Sequence, residues 1–186
     1  MSDQHGVPIA RDAVRIERTL PGPIERIWAY LTESDKRATW LAEGEMELRA
    51  GGRVVHVFRN DDLTPNDDPP PAKYAAVSGE YRMEGKVVTC EPPRLLEYTW
   101  GEERGEDSVV RFELTPSGSS VRLVVTHRRL PNRDEMVGVA AGWHAHLDIL
   151  LDRLEGRTPA GFWARHTALE AEYEKLIPQE GAEAGR

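Results

Sequence analysis

Residues 134–156, DEMVGVAAGWHAHLDILLDRLEG, place Met136, Ala140, Trp143, Leu147, Leu150, Leu151 and Leu154 at intervals of three and four, the repeat of a helix apolar on one side. Asp134 is available as an N-cap and Gly156 as the residue past the last turn, so the spacing predicts one long helix with defined ends. Upstream the period changes to two. Leu96, Tyr98 and Trp100 alternate with Glu97 and Thr99, Val110, Phe112 and Leu114 with Arg111 and Glu113, and Leu123, Val125 and His127 follow the same rule. Residues 12–20 and 53–59 are also strand-like, and 43–48 reads as the partner of 53–59 across the turn Ala50-Gly51-Gly52. Between the first strand and that hairpin, Ile24, Ile27, Trp28 and Leu31 predict a helix after Pro23, with a second short helix from Ser34 toward Trp40. Six or seven antiparallel strands followed by one amphipathic helix predict an α+β fold, a curved sheet wrapped around that helix.

The chain has 186 residues and a net charge of −8, enough length for one sizeable core. An acidic balance argues against nucleic acid and against anionic membrane surfaces. A single cysteine, Cys90, allows no internal disulfide, and no apolar run is long enough to span a membrane. Residues 1–11 lack the apolar centre of a secretory signal and read as a disordered start, which predicts a cytoplasmic protein. Residues 60–73, NDDLTPNDDPPPAK, read as a long mobile loop.

The run Val14-Arg15-Ile16-Glu17-Arg18-Thr19, then Pro23-Ile24-Glu25-Arg26-Ile27-Trp28 and Ala50-Gly51-Gly52-Arg53, resembles the opening of START-like helix-grip domains of the SRPBCC superfamily. Glu84-Gly85-Lys86-Val87, Glu91-Pro92-Pro93-Arg94-Leu95-Leu96-Glu97-Tyr98-Thr99-Trp100 and the Gly142-Trp143 to Gly156 segment resemble, in order and spacing, the branch named after the activator of the heat-shock protein 90 ATPase. The resemblance spans residues 12–156. It implies a cavity between sheet and helix that binds a small hydrophobic or aromatic molecule. The alternatives are a cyclase- or hydrolase-type enzyme using the same cavity, or a cochaperone-like interaction protein. Residues 60–76 depart from the compact family pattern.

Inward alternation makes Trp40, Tyr98, Trp100, Phe112, His127, Met136 and Trp143 the candidate cavity lining, with Trp100 and Trp143 as walls and Tyr98 or His127 as orienting groups. The bland reading is that these side chains fill the core. Acid–base work by His127 with Glu45 or Glu84 would suit a cyclase, against a strand-end histidine partly in water. His144 and His146 lie about 200° apart on their helix and cannot share one ion, and a His144–Asp148 pair is too small a set for zinc, so no metal is expected. No nucleophile turn or phosphate-cradling glycine loop is present, so no catalytic residue and no cofactor is expected. Arg128, Arg129 and Arg133 form a small basic spot that reads as a solvated loop.

After Gly156, Phe162, His166, Leu169, Tyr173 and Leu176 recur at intervals of four and three, which predicts an extra helix over 157–178. Its stripe either returns to its own domain or forms a homodimer through Phe162, Leu169, Tyr173 and Leu176. Residues 179–186 read as a disordered tail.

Overall fold

A computed structural model describes residues 4–101 and 107–179; residues 1–3 and 180–186, parts of the two ends for which disorder was expected, and residues 102–106 lie outside the described residues. The elements run β1 (Val7–Ala10), β2 (Ala13–Pro21), α1 (Ile24–Thr32), α2 (Ser34–Arg37), β3 (Arg53–Phe58), β4 (Tyr81–Glu91), β5 (Leu95–Trp100), β6 (Ser108–Ser117), β7 (Ser120–Arg128), α3 (Arg133–Leu154) and α4 (Phe162–Leu176). The seven strands form one antiparallel sheet in the order β1-β2-β7-β6-β5-β4-β3. This is the α+β helix-grip architecture, with α3 against the sheet and α4 packed on α3.

The sheet bends within β4. Residues 81–86 pair with β3, whereas the stretch from Val87 onward pairs with β5. Gly85 sits at the changeover, where a Cβ would come 2.1 Å from the Thr99 carbonyl oxygen, and the Lys86 amide donates to Thr99 Oγ1 at 2.8 Å. A backbone approach this close admits only glycine.

Three expectations are corrected. Residues 7–10 are a strand, although their side chains are exposed and carry no burial pattern. They are held from outside, since the Gly6 amide donates to Tyr173 Oη at 2.6 Å and the Arg18 guanidinium to the Gln4 carbonyl at 2.8 Å. Residues 43–48 do pair with β3, the Val55 amide donating to the Glu45 carbonyl at 2.8 Å and the Glu47 amide to the Arg53 carbonyl at 2.9 Å, but as the isolated bridges Glu43↔Val57 and Met46↔Val54 and not as a continuous strand, with Gly44 at a φ of 128°. Asn132, not Asp134, caps α3, its Oδ1 accepting from the Glu135 amide at 2.9 Å.

The stripe of α4 returns to its own domain: Phe162, His166, Leu169 and Tyr173 are buried within the chain, and Leu176 is exposed. A dimer through the first, third and fourth of these would have to uncover them. Helix α4 carries no capping side chain of its own, since it starts after Gly161 and ends at Ile177. The acidic loop supplies the N-terminal cap. Thr64 Oγ1 accepts from the Phe162 amide at 2.9 Å, and Asp67 accepts from the amides of Trp163 at 2.7 Å and Ala164 at 3.2 Å. Arg133 supplies the other end, donating to the carbonyls of Glu174 at 2.7 Å and Ile177 at 3.0 Å and pairing with the Glu174 carboxylate. Residues 60–73 are therefore a fixed part of the fold, and Arg133 is an anchor where a solvated loop was expected. Arg128 is also engaged, at 2.7 Å from Glu97. No described helix is long and apolar enough to cross a membrane.

Asp67→Ala should lower the unfolding free energy by about 1–2 kcal/mol, the usual worth of an N-cap, and Asp67→Asn by less; urea denaturation reads both, and an unchanged midpoint in the alanine variant would remove the capping role. Gly85→Ala should cost about 2 kcal/mol or more through forced overpacking in the sheet, measured in the same way.

Candidate functional site

A cleft of about 440 Å³ opens between the N-terminal half of α3, the start of α4, the concave side of the sheet and the loop before β4. Its floor is Trp100, His127 and Trp143; its outer wall is Phe162, Trp163 and His166, with Tyr74 from the loop. Gly138 and Gly142, one turn apart on α3, put no side chain into the space between the two sides. A Cβ on Gly138 would approach Tyr74 Oη at 3.3 Å, and one on Gly142 would come no nearer than 4.0 Å to His166.

Of the seven side chains expected from the alternation, Trp100, His127 and Trp143 come together at the cleft. Trp40, Tyr98, Phe112 and Met136 are buried and do not line it. Their positions are structural. The Trp40 indole donates to the Tyr30 carbonyl at 2.8 Å, its own carbonyl meets His146 Nδ1 at 2.8 Å, and Tyr98 Oη meets His56 Nε2 at 2.9 Å. Phe112 packs edge-on to Trp143 with ring centres 5.4 Å apart. Glu45 and Glu84, weighed as partners for His127, do not line the cleft, and Glu84 pairs with Arg53 and Arg82.

The floor is a fixed polar relay in an aromatic setting. The Trp143 indole N–H donates to His127 Nδ1 at 3.0 Å, so Nδ1 carries no proton and Nε2–H donates to Ser108 Oγ at 2.8 Å. The Trp100 ring meets the Trp143 ring edge-on, centres 5.1 Å apart. Burial pushes the His127 pKa down to about 3, so the ring is neutral at pH 7.

Sequence reasoning missed the other half of the site. His146 and His166 face the cleft because α4 covers the side of α3 that a sheet alone would leave in water. Burial pushes both down to about 4. Phe162 lies against both rings, at 4.6 Å from His146 and 5.7 Å from His166. Tyr74 stacks on Trp163, with ring centres 5.7 Å apart and planes inclined by 29°, and its hydroxyl donates to Glu170 at 2.8 Å. The Trp163 indole donates to Asp61 at 2.8 Å, which ties the wall to the loop. The glycine pair on α3 was the one readable signal, since small residues at helical spacing mark a close approach. His144 is fully buried 3.0 Å from Tyr173 Oη and 3.8 Å from Asp148, on the far side from the floor. Among the described residues no group of three or more His, Cys, Asp or Glu is placed to hold a metal ion.

A histidine whose folded pKa lies below its unfolded value gives stability that is complete above the unfolded pKa near 6.5 and is lost as pH falls toward the folded value. His127, His146 and His166 all shift in this direction. The urea midpoint should therefore fall steadily from pH 7 to pH 4.5. A flat profile over that range would mean that these rings take up protons as readily in the folded state as in the unfolded one.

Comparison with known proteins bears on this arrangement. The family model described as "Activator of Hsp90 ATPase homolog 1-like protein" matches residues 70–155. A Bordetella parapertussis protein solved by NMR in solution is 42% identical, with a TM-score of 0.78, over 97% of this chain and 94% of that one. CalU16 from Micromonospora echinospora is 21% identical with a TM-score of 0.66, over 90% of this chain and 89% of its own. A Mesorhizobium loti protein is 24% identical with a TM-score of 0.59, over 80% and 99%. The last two share the fold. A search of the curated proteins finds no match. The chain belongs to the family of activator of Hsp90 ATPase homolog 1-like proteins, a branch of the START-like helix-grip domains.

Proposed function

We propose that the protein binds a small hydrophobic or aromatic molecule in the cleft between the Trp100–Trp143 floor and the Phe162–Trp163 wall. The observation that carries this reading is the pairing of aromatic surfaces across about 440 Å³ with few polar groups between them. Small-molecule sites have this size and composition, an apolar lining with a few placed polar atoms that fix orientation. Family membership supports the same reading, because the helix-grip architecture leaves space at one end of its long helix. Between the aromatic walls the polar groups at hand are imidazoles held neutral and the Tyr74 hydroxyl, which suit orientation of a ring system, while the charged side chains Lys73, Asp134 and Glu135 also line the cleft.

The neutral fluorescent probe N-phenyl-1-naphthylamine tests this. It should bind saturably, with energy transfer from tryptophan. Gly142→Leu should weaken that binding at least about tenfold, a loss of about 1.4 kcal/mol. The leucine fills the cleft from a helical position where it improves propensity, so the fold should persist, as circular dichroism will show. Equal binding by the variant would place the probe elsewhere.

A further inference from the structure

The chemical class of the ligand follows from a count of protons and charges around the cleft, an inference that rests on the binding function above. His166 shows the first deficit. The ring hydrogen-bonds to the Gly138 carbonyl, which can only accept, and Nδ1 has no partner, so the proton sits on Nε2 and a neutral ring has a bare Nδ1. That atom is buried and has no hydrogen-bond partner. The Glu170 carboxylate lies 3.6 Å from it, an acceptor facing an acceptor. Glu170 is itself engaged by Tyr74 Oη and Lys73. His146 repeats the pattern, since its Nδ1–H faces the Trp40 carbonyl and leaves Nε2 as a lone pair. What both rings lack is a donor.

Charge gives the second deficit. Among the described lining residues Lys73 is the one lysine or arginine, and Glu170 neutralises it. Asp134 and Glu135 also line the cleft, are exposed at its rim, and have no ion pair among the described residues. Both complement the dipole of α3, which accounts for their place in its first turn but also fixes two negative charges beside three tryptophans. Aromatic faces with nearby carboxylates attract cations and repel anions.

We infer that the cleft takes a flat aromatic molecule bearing an N–H donor and no negative charge, the aryl-amine class, with Asp134 and Glu135 setting the charge preference. The donor meets the His146 Nε2 lone pair, the rings stack between floor and wall, and aryl carboxylates are turned away at the rim.

Four ligands on one skeleton test it by calorimetry with the full chain at pH 7.5 and low salt: 1-naphthylmethylammonium, 1-naphthalenemethanol, 1-ethylnaphthalene and 1-naphthylacetate. The ammonium should bind at least about tenfold more tightly than the acetate, and the alcohol more tightly than the ethyl compound. In the double variant Asp134→Asn/Glu135→Gln the ammonium-to-acetate ratio should shrink to about threefold or less. Raised salt should narrow the ratio in the wild type as well. If the acetate binds as well as the ammonium, or the ratio survives in the double variant, the charge assignment is wrong although the cleft still binds. If none of the four binds, while the probe fails too, it is the binding function itself that falls.

Discussion

Helix α4 cannot finish either of its own ends. A helix leaves four N–H groups and four carbonyls without partners, and neither Gly161 nor Ile177 offers a side chain to meet them. Thr64 and Asp67 meet the first set and Arg133 the second, so the helix exists only where the acidic loop and the start of α3 hold it. The closeness of this joint is visible at Gly161, where a Cβ would come 2.4 Å from Asp67 Oδ1. The same joint seats Trp163 between Asp61 and Tyr74, and the outer wall of the cleft follows from it.

With α4 in place, α3 is covered on two sides. The sheet takes Trp143 and Leu147, and α4 takes His144 and His146, which the one-sided stripe assigns to its margins. Covering those margins removes water from both rings and holds His146 neutral, turning what a two-layer fold would leave as a solvated ring into a placed acceptor. Glycines at 138 and 142 leave the space between the two helices and the loop without a side chain from α3. The cleft is thus the remainder of a packing problem: aromatic side chains too large to interdigitate completely around a helix with two missing side chains.

The outward face of the sheet shows a related effect. Alternation puts Glu97 outside, yet it is 5% exposed, lying under Arg128 and Arg111. Burial alone would raise its pKa, but the Arg128 hydrogen bond and the two guanidinium charges outweigh that and lower it. Side-chain direction was readable there; burial was not.

Strands β2, β3 and β5–β7, the bracket of α1 and α2, and the length of α3 were legible in the chain because the period of apolar residues records which side of each element is buried. Trp100, His127 and Trp143 were legible as inward groups for the same reason. The strand at Val7–Ala10, the fixed course of residues 60–73, the docking of α4 and the neutral histidines of the cleft were settled only by the fold. Their determinants are single hydrogen bonds between residues far apart in sequence, such as Thr64 with Phe162 and Gly6 with Tyr173, separated by 98 and 167 positions. Local periodicity carries no trace of such pairs, since a capping oxygen from another element serves a helix as well as one in its own sequence.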